Sequence, residues 1–242
     1  MEIKNVALML VDISGYTQFM RMHQASVLHA EQIITELLDA VIDQAEYPLQ
    51  LNKLEGDAAL LYAELPPGEE AQAARDIVTQ AQGFFTAFKE RQQGLITAGE
   101  GGCPCDACRH IHDLQLKAMA HYGEVVIKQV RNFTELAGEP VILVHRLLKN
   151  SVAVHEYLLL TAAFDQLSGG LPHVSSEQRM ETYDDMGEIP VAVYYPELLT
   201  LVVPQAAPET RPAGFFEGVR LGLKVLWARL FRPRRIFRNL PR

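Results

Sequence analysis

Apolar residues fall along this chain in short runs and helical repeats separated by polar turns. Val6 to Val11 is an unbroken apolar run closed by Asp12, the pattern of a buried central strand. From Tyr16 the period lengthens: Ile33, Ile34, Leu37, Leu38, Val41 and Ile42 recur at three and four, which predicts a helix ending before Pro48. Leu49 to Leu54 and Ala58 to Ala63 read as a hairpin turning at Glu55-Gly56-Asp57. Pro66-Pro67-Gly68 breaks the chain, and a second helix carries Ala74, Ile77, Val78, Ala81, Phe84, Phe85 and Phe88 on one side. Gly94 to His112 is irregular. Leu114 to Ala120 and Glu124 to Val130 predict a further strand pair turning at Tyr122-Gly123, then a short helix from Val141 to Lys149 and a strand from Tyr157 to Leu160. Met180 to Tyr183 and Val191 to Tyr195 close the sheet. The order predicts an α+β sandwich, helices covering a largely antiparallel sheet.

Composition adds a division of charge. The net charge of −8 hides a C-terminal stretch from Gln205 with nine basic residues against Glu209 and Glu217, which leaves −15 on the rest. Residues 1–203 therefore read as the body, 204–213 as a proline-rich linker, and 214–242 as a basic tail. The acidic body argues against a nucleic-acid grip. In the tail Phe215, Val219, Leu223, Leu226 and Leu230 form one helical stripe with arginines around it. Such an amphipathic helix suits an anionic membrane surface or a protein groove. The first residues do not form a signal peptide, no run reaches the roughly 20 apolar residues of a membrane span, and three clustered cysteines fit a reducing compartment. A cytoplasmic body is expected, with the tail able to bring it to the inner face of the membrane.

Two constellations carry candidate chemistry. VDISGYT (Val11 to Thr17) and KLEGD (Lys53 to Asp57) each deliver one carboxylate, Asp12 or Asp57, to a strand end, a natural seat for Mg²⁺. Gly15 permits close backbone approach to a ligand, and Tyr16 and Thr17 open a helix with free N–H groups. The bland alternative for either aspartate alone is a solvated strand end. The second constellation, within an insertion at 93–112, is Cys103, Cys105, Cys108 and His110, a ligand set for structural Zn²⁺. An iron–sulfur cluster or three free thiols are its alternatives. His121 and His145 read as hydrogen-bonded structural side chains.

VDISGYT and KLEGD resemble the two metal motifs of class III nucleotidyl cyclases, and HYGEVVI and LAGEPVILVHRLL resemble that family's later hairpin and glycine-to-arginine helix. The whole set is most similar to the uncharacterised DUF2652 branch. The resemblance implies the ferredoxin-like cyclase fold, with the basic amphipathic helix appended at the C-terminus. It also implies a homodimer, head to tail, that converts a nucleoside triphosphate, with ATP expected first, to a 3′,5′-cyclic nucleotide and pyrophosphate. It assigns Asp12, Asp57 and the Ile13 carbonyl to two Mg²⁺ or Mn²⁺ ions, Lys53 to the base, and Arg146 to the transferring phosphate. Glu135 stands where a base-reading aspartate or threonine is expected. Ile142 stands where the family has a ribose-orienting asparagine, and it can donate no hydrogen bond. That departure sustains an alternative: a catalytically impaired homologue serving as a nucleotide-binding or membrane-recruited regulatory module, or as a scaffold.

Overall fold

The first strand, β1 (Glu2–Ser14), is the axis of the fold. Ala7, Met9, Val11 and Ile13 enter one core cluster, while Val6, Leu8 and Leu10 enter another. Burial on both faces is why this strand reads as a continuous apolar run rather than an alternating one. The computed structural model describes residues 1–22, 27–100 and 106–196. Cys103, Cys105, the linker and the tail lie outside the described residues.

β1 pairs antiparallel with β3 (Ala58–Glu64) on one side and β4 (Gln115–Val130) on the other. β2 (Gln50–Glu55) lies outside β3. Beyond β4 come β6 (Tyr157–Thr161), β8 (Gly187–Tyr194) and β7 (Glu177–Tyr183). Among the described residues only the β4–β6 pairing is parallel, so the sheet is largely antiparallel as the sequence predicts. Helices α1 (Tyr16–Met22), α2 (Val27–Ile42), α3 (Glu70–Glu100) and α6 (Ala162–Ser168) contribute apolar side chains to the core on the Ala7 face. α5 (Glu139–Arg146) covers the opposite face with Leu143 and Val144.

Two expectations need correction. The chain does not turn at Tyr122-Gly123: β4 runs straight through, pairing Gly123 with Val6. A Cβ at Gly123 would lie 2.7 Å from Pro140 Cγ, so this glycine serves the close crossing of α5 over β4, not a turn. The real hairpin is β4 with β5 (Phe133–Ala137), and Arg131 at its tip has a positive φ of 57°. Nor is the insertion irregular from Gly94, because α3 continues to Glu100 and a short helix α4 (Asp106–Arg109) follows the residues not described. Buried Gln92 donates to the carbonyls of Ile111 at 2.8 Å and Leu114 at 2.7 Å. That tertiary clasp offsets the roughly 1 kcal/mol a mid-helix glycine costs. In the segment expected as one helix up to Pro48, α1 and α2 are described, and residues 23–26 between them lie outside the described residues.

Candidate functional site

Register brings the two aspartates together. Asp12, near the C-terminal end of β1, lies opposite Ala58, the residue after Asp57, and the Ile13 N–H donates to the Asp57 carbonyl at 3.1 Å. Glu55-Gly56-Asp57 is thus stitched to the end of β1. On the other flank Asp12 lies opposite Lys117 of β4, and Lys117 lies beside Tyr157 of β6. Even-numbered β1 residues face α5, so Ala58, Asp12, Lys117 and Tyr157 form one row on that face.

Within this row Lys117 Nζ stands 3.0 Å from Asp12 Oδ2, with only 19% and 15% of the two side chains exposed. Asp57 is pushed up to about 6, first by burial and then by the Asp12 charge, against smaller opposing contributions that include Lys117. Two carboxylates held this close in a half-buried corner favour the arrival of a cation. Mg²⁺ characteristically takes one or two carboxylates and keeps waters or phosphate oxygens for the rest, so Asp12 and Asp57 fit it. Among the described residues no group of three or more His, Cys, Asp or Glu is arranged to hold a metal ion. Any ion here would draw its remaining ligands from backbone carbonyls, water or a bound anion.

Gly15 follows the strand with φ 90°, and a Cβ there would lie 3.1 Å from the Asp113 carbonyl oxygen. This position needs glycine on both counts. The Tyr16 hydroxyl donates to Glu31 Oε1 of α2 at 2.8 Å, and Thr17 is exposed. Burial beside Asp57 and Glu31 thus comes with a tyrosine hydroxyl raised first by its hydrogen bond to Glu31.

The other predicted residues lie outside this row, in more than one place. Lys53 Nζ pairs with Glu55 Oε1 at 2.8 Å, and His145 Nε2 of α5 meets Glu55 Oε2 at 2.9 Å. The His145 Nδ1 lies 2.7 Å from the Val141 carbonyl oxygen, so both ring nitrogens face acceptors. Burial pushes Glu55 up, but Lys53 and His145 outweigh it and hold the carboxyl below its ordinary value. Arg146, one residue on, is exposed and bound through Nε and a terminal nitrogen to Asp185 Oδ2, at 3.1 and 2.6 Å. Glu135 lies on β5 opposite Lys128, next to Thr134, whose carbonyl accepts from Asn52 at 2.8 Å. Ile142 is 54% exposed on α5. Neither Lys53 nor Arg146 forms an ion pair with Asp12 or Asp57 in this chain.

The expectations for the remaining residues fare differently. His121, expected at a hairpin end, lies mid-strand with Nδ1 2.9 Å from Thr161 Oγ1, and burial holds its imidazole down at about 4. A neutral structural histidine results, as the sequence suggests. Cys108 Sγ lies 3.8 Å from His29 Nε2, whereas His110 Nδ1 faces Asp113 Oδ2 at 3.0 Å. Among the described residues no zinc-binding cluster is formed, and Cys103 and Cys105 lie outside them. No helix among the described residues is long and apolar enough to cross a membrane. Sequence reasoning missed Lys117 and the clasping role of Glu55. A lone lysine inside the apolar strand LQLKAMA was the available signal, since lysines are seldom buried without a partner.

The fold matches solved nucleotidyl cyclases. The adenylyl cyclase CyaB from P. aeruginosa aligns with a TM-score of 0.60, covering 88% of this chain and 98% of that one at 17% identity. The guanylate cyclase domain of RhGC from Catenaria anguillulae, solved in complex with GTP, aligns at 0.54, covering 80% and 98% at 12% identity. Identities this low establish the fold alone. In sequence, the "Uncharacterized protein Rv2561/Rv2562" of Mycobacterium tuberculosis (strain ATCC 25618 / H37Rv) is 34% identical over 176 residues, which is 73% of this chain and 78% of that protein. The profile described as "Protein of unknown function (DUF2652)" matches residues 34–157, a span from α2 to the first residue of β6 that includes Asp57, Lys117 and Arg146. On the shared length, the family profile and the common fold, the chain belongs to the DUF2652 family and has the architecture of the class III nucleotidyl cyclases.

Proposed function

We propose that this protein is a class III nucleotidyl cyclase that forms a 3′,5′-cyclic nucleotide and pyrophosphate from a nucleoside triphosphate, ATP first among the candidates. One observation carries the reading: Asp12 and Asp57 converge at the end of β1 in a cyclase fold, with Asp57 pushed up to about 6 by burial and by its neighbour. Mg²⁺ or Mn²⁺ bound there would lower the barrier by polarising the ribose hydroxyl and neutralising phosphate charge. Asp12 and Asp57 orient the ions, aided by the Ile13 carbonyl, and the β1–α1 turn at Gly15 to Thr17 takes the phosphates. Lys53 and Glu135 face the base, and Arg146 neutralises charge on the transferring phosphate. As the resemblance to the cyclases implies, the reading requires a head-to-tail homodimer in which Lys53 and Arg146, paired with Glu55 and Asp185 within one chain, serve the partner's aspartates.

Turnover of the four triphosphates with Mn²⁺ by the full chain, compared with Asp57→Ala, tests the proposal. Cyclic product from the parent that falls at least about 10²-fold in the variant is expected. Equal signal from both proteins sinks the reading. Exposed Ile142 favours a second reading, a homologue that binds nucleotide without turning it over and so acts as a regulatory module. Nucleotide binding without product selects it. The proposal extends to a structural Zn²⁺ ion at Cys103, Cys105, Cys108 and His110, and to a tail that docks on an anionic membrane or a protein groove. Zinc content of Cys108→Ser against the parent, and liposome flotation with and without residues 205–242, test these two parts.

A further inference from the structure

The cyclase reading assigns Asp12 to cations but gives no role to the lysine beside it. Lys117 is neither a surface lysine nor a spectator. Its ammonium lies 3.0 Å from Asp12 Oδ2, and more than four-fifths of both side chains is buried. The β1–β4 ladder places the pair opposite each other, so the contact is fixed by strand register and not by a flexible reach across the surface. Asp57, by contrast, has no cationic side chain in contact with its carboxylate among the described residues. The corner thus holds two carboxylates and one resident positive charge, unevenly shared.

We infer that Lys117 is the resident counter-ion of Asp12 and that a divalent cation enters by exchange, displacing the ammonium from the Asp12 carboxylate while coordinating Asp57. The inference rests on the cation-binding reading of the two aspartates and goes beyond it. A charge of +1 at 3.0 Å occupies the face of Asp12 that a metal needs, and repulsion between ammonium and metal weakens the complex until the lysine moves. Before the exchange Asp12 is neutralised by Lys117, so without nucleotide the corner holds a cation only weakly, through Asp57. Triphosphate supplies the extra negative charge that draws the cation in and offers the released ammonium a new partner. Lys117 is therefore a positioning residue that makes cation retention depend on substrate.

The test is Mn²⁺ binding to the full 242-residue chain without nucleotide, read from the spectrum of free Mn²⁺ by electron paramagnetic resonance. Lys117→Met should tighten Mn²⁺ at least about tenfold, whereas Lys117→Arg, which keeps the charge, should stay near the parent. Mn²⁺ should also raise the melting temperature of Lys117→Met more than that of the parent, because the ion replaces the missing counter-ion of a buried carboxylate. Adding Asp57→Asn to Lys117→Met should abolish both effects. A purely structural ion pair predicts a destabilised variant with unchanged or weaker Mn²⁺ binding, and that result overturns the inference. If the parent binds Mn²⁺ through Asp57 but Lys117→Met binds it no better, the exchange fails while the cation reading stands. If Mn²⁺ binding ignores Asp57 in every variant, the cation reading itself fails. Should Lys117→Met not fold, Lys117→Gln carries the same measurement.

Discussion

Two sets of charged groups, one at the tip of the β2–β3 hairpin and one running from that hairpin to α5 and Asp185, are built on opposite principles. Asp12, Asp57 and Lys117 are mostly buried, with more negative charge than the local cation can balance. Lys53, Glu55, His145, Arg146 and Asp185 are more open, and each acid has a base within hydrogen-bonding distance. The hairpin joins them, since Glu55 belongs to the balanced cluster and Asp57, two residues on, to the unbalanced one. His145 of α5 grips Glu55 and the β1 backbone grips Asp57 through the Ile13 N–H, so the turn is held from both ends. An unbalanced buried charge stores a demand for an external ion, whereas paired surface charges cost little to rearrange. Under the proposed function the first cluster is the binding site, and the second a surface able to change partners.

The sharpest way to break the comparison is to remove one residue from each cluster. Arg146→Ala should lower cyclic product about 10²-fold, as loss of one preorganised positive group at a phosphoryl centre does. An equimolar mixture of Arg146→Ala with Asp57→Ala should recover part of the parent's rate by restoring one intact composite site. Product assays showing no recovery would mean that each chain works alone. Next in size, Ile142→Asn supplies a missing donor on an exposed position of α5 and should raise turnover roughly tenfold, with KM little changed. A rate that stays flat in steady-state kinetics would detach this position from the ribose.

The smallest effect concerns stability. Because the folded Asp57 carboxyl sits near 6, above its ordinary 3.8, its ionised form opposes folding above pH 6, and the penalty fades as pH falls toward 4. In chelator, Asp57→Asn should therefore be more stable than the parent by on the order of 1 kcal/mol at pH 8, and by nearly nothing at pH 4. His121 acts in the opposite sense. Held neutral near 4, it costs the parent stability as pH drops below the ordinary 6.5. Thermal melts of the two proteins across this range share the His121 contribution, so their difference isolates Asp57. A gain that is constant with pH would place the Asp57 carboxyl outside the unbalanced corner.

Much of this architecture was legible in the chain because burial leaves a period. Val6 to Val11, the α2 stripe from Ile33 to Ile42 and the β2–β3 hairpin each show their structure in the spacing of apolar residues alone. Gly123 misled because a glycine in a strand pattern marks either a turn or a close crossing, and only the position of Pro140 distinguishes them. The extension of α3 was hidden for a similar reason, since the partners of Gln92 are backbone carbonyls 19 and 22 residues away. β5 and α6 are too short for periodicity to detect.

By itself the sequence determined most of the core strands, the apolar stripes of the long helices and the positions of the two aspartates at strand ends, since those follow from local spacing and residue type. Tertiary structure alone decided that Lys117 stands against Asp12, that Glu55 is clasped by His145, and that Asp57 is left with unmatched charge. Strand register and helix crossing set those contacts, and both depend on residues 90 to 105 positions apart in the chain, from Glu55 to His145 and from Asp12 to Lys117.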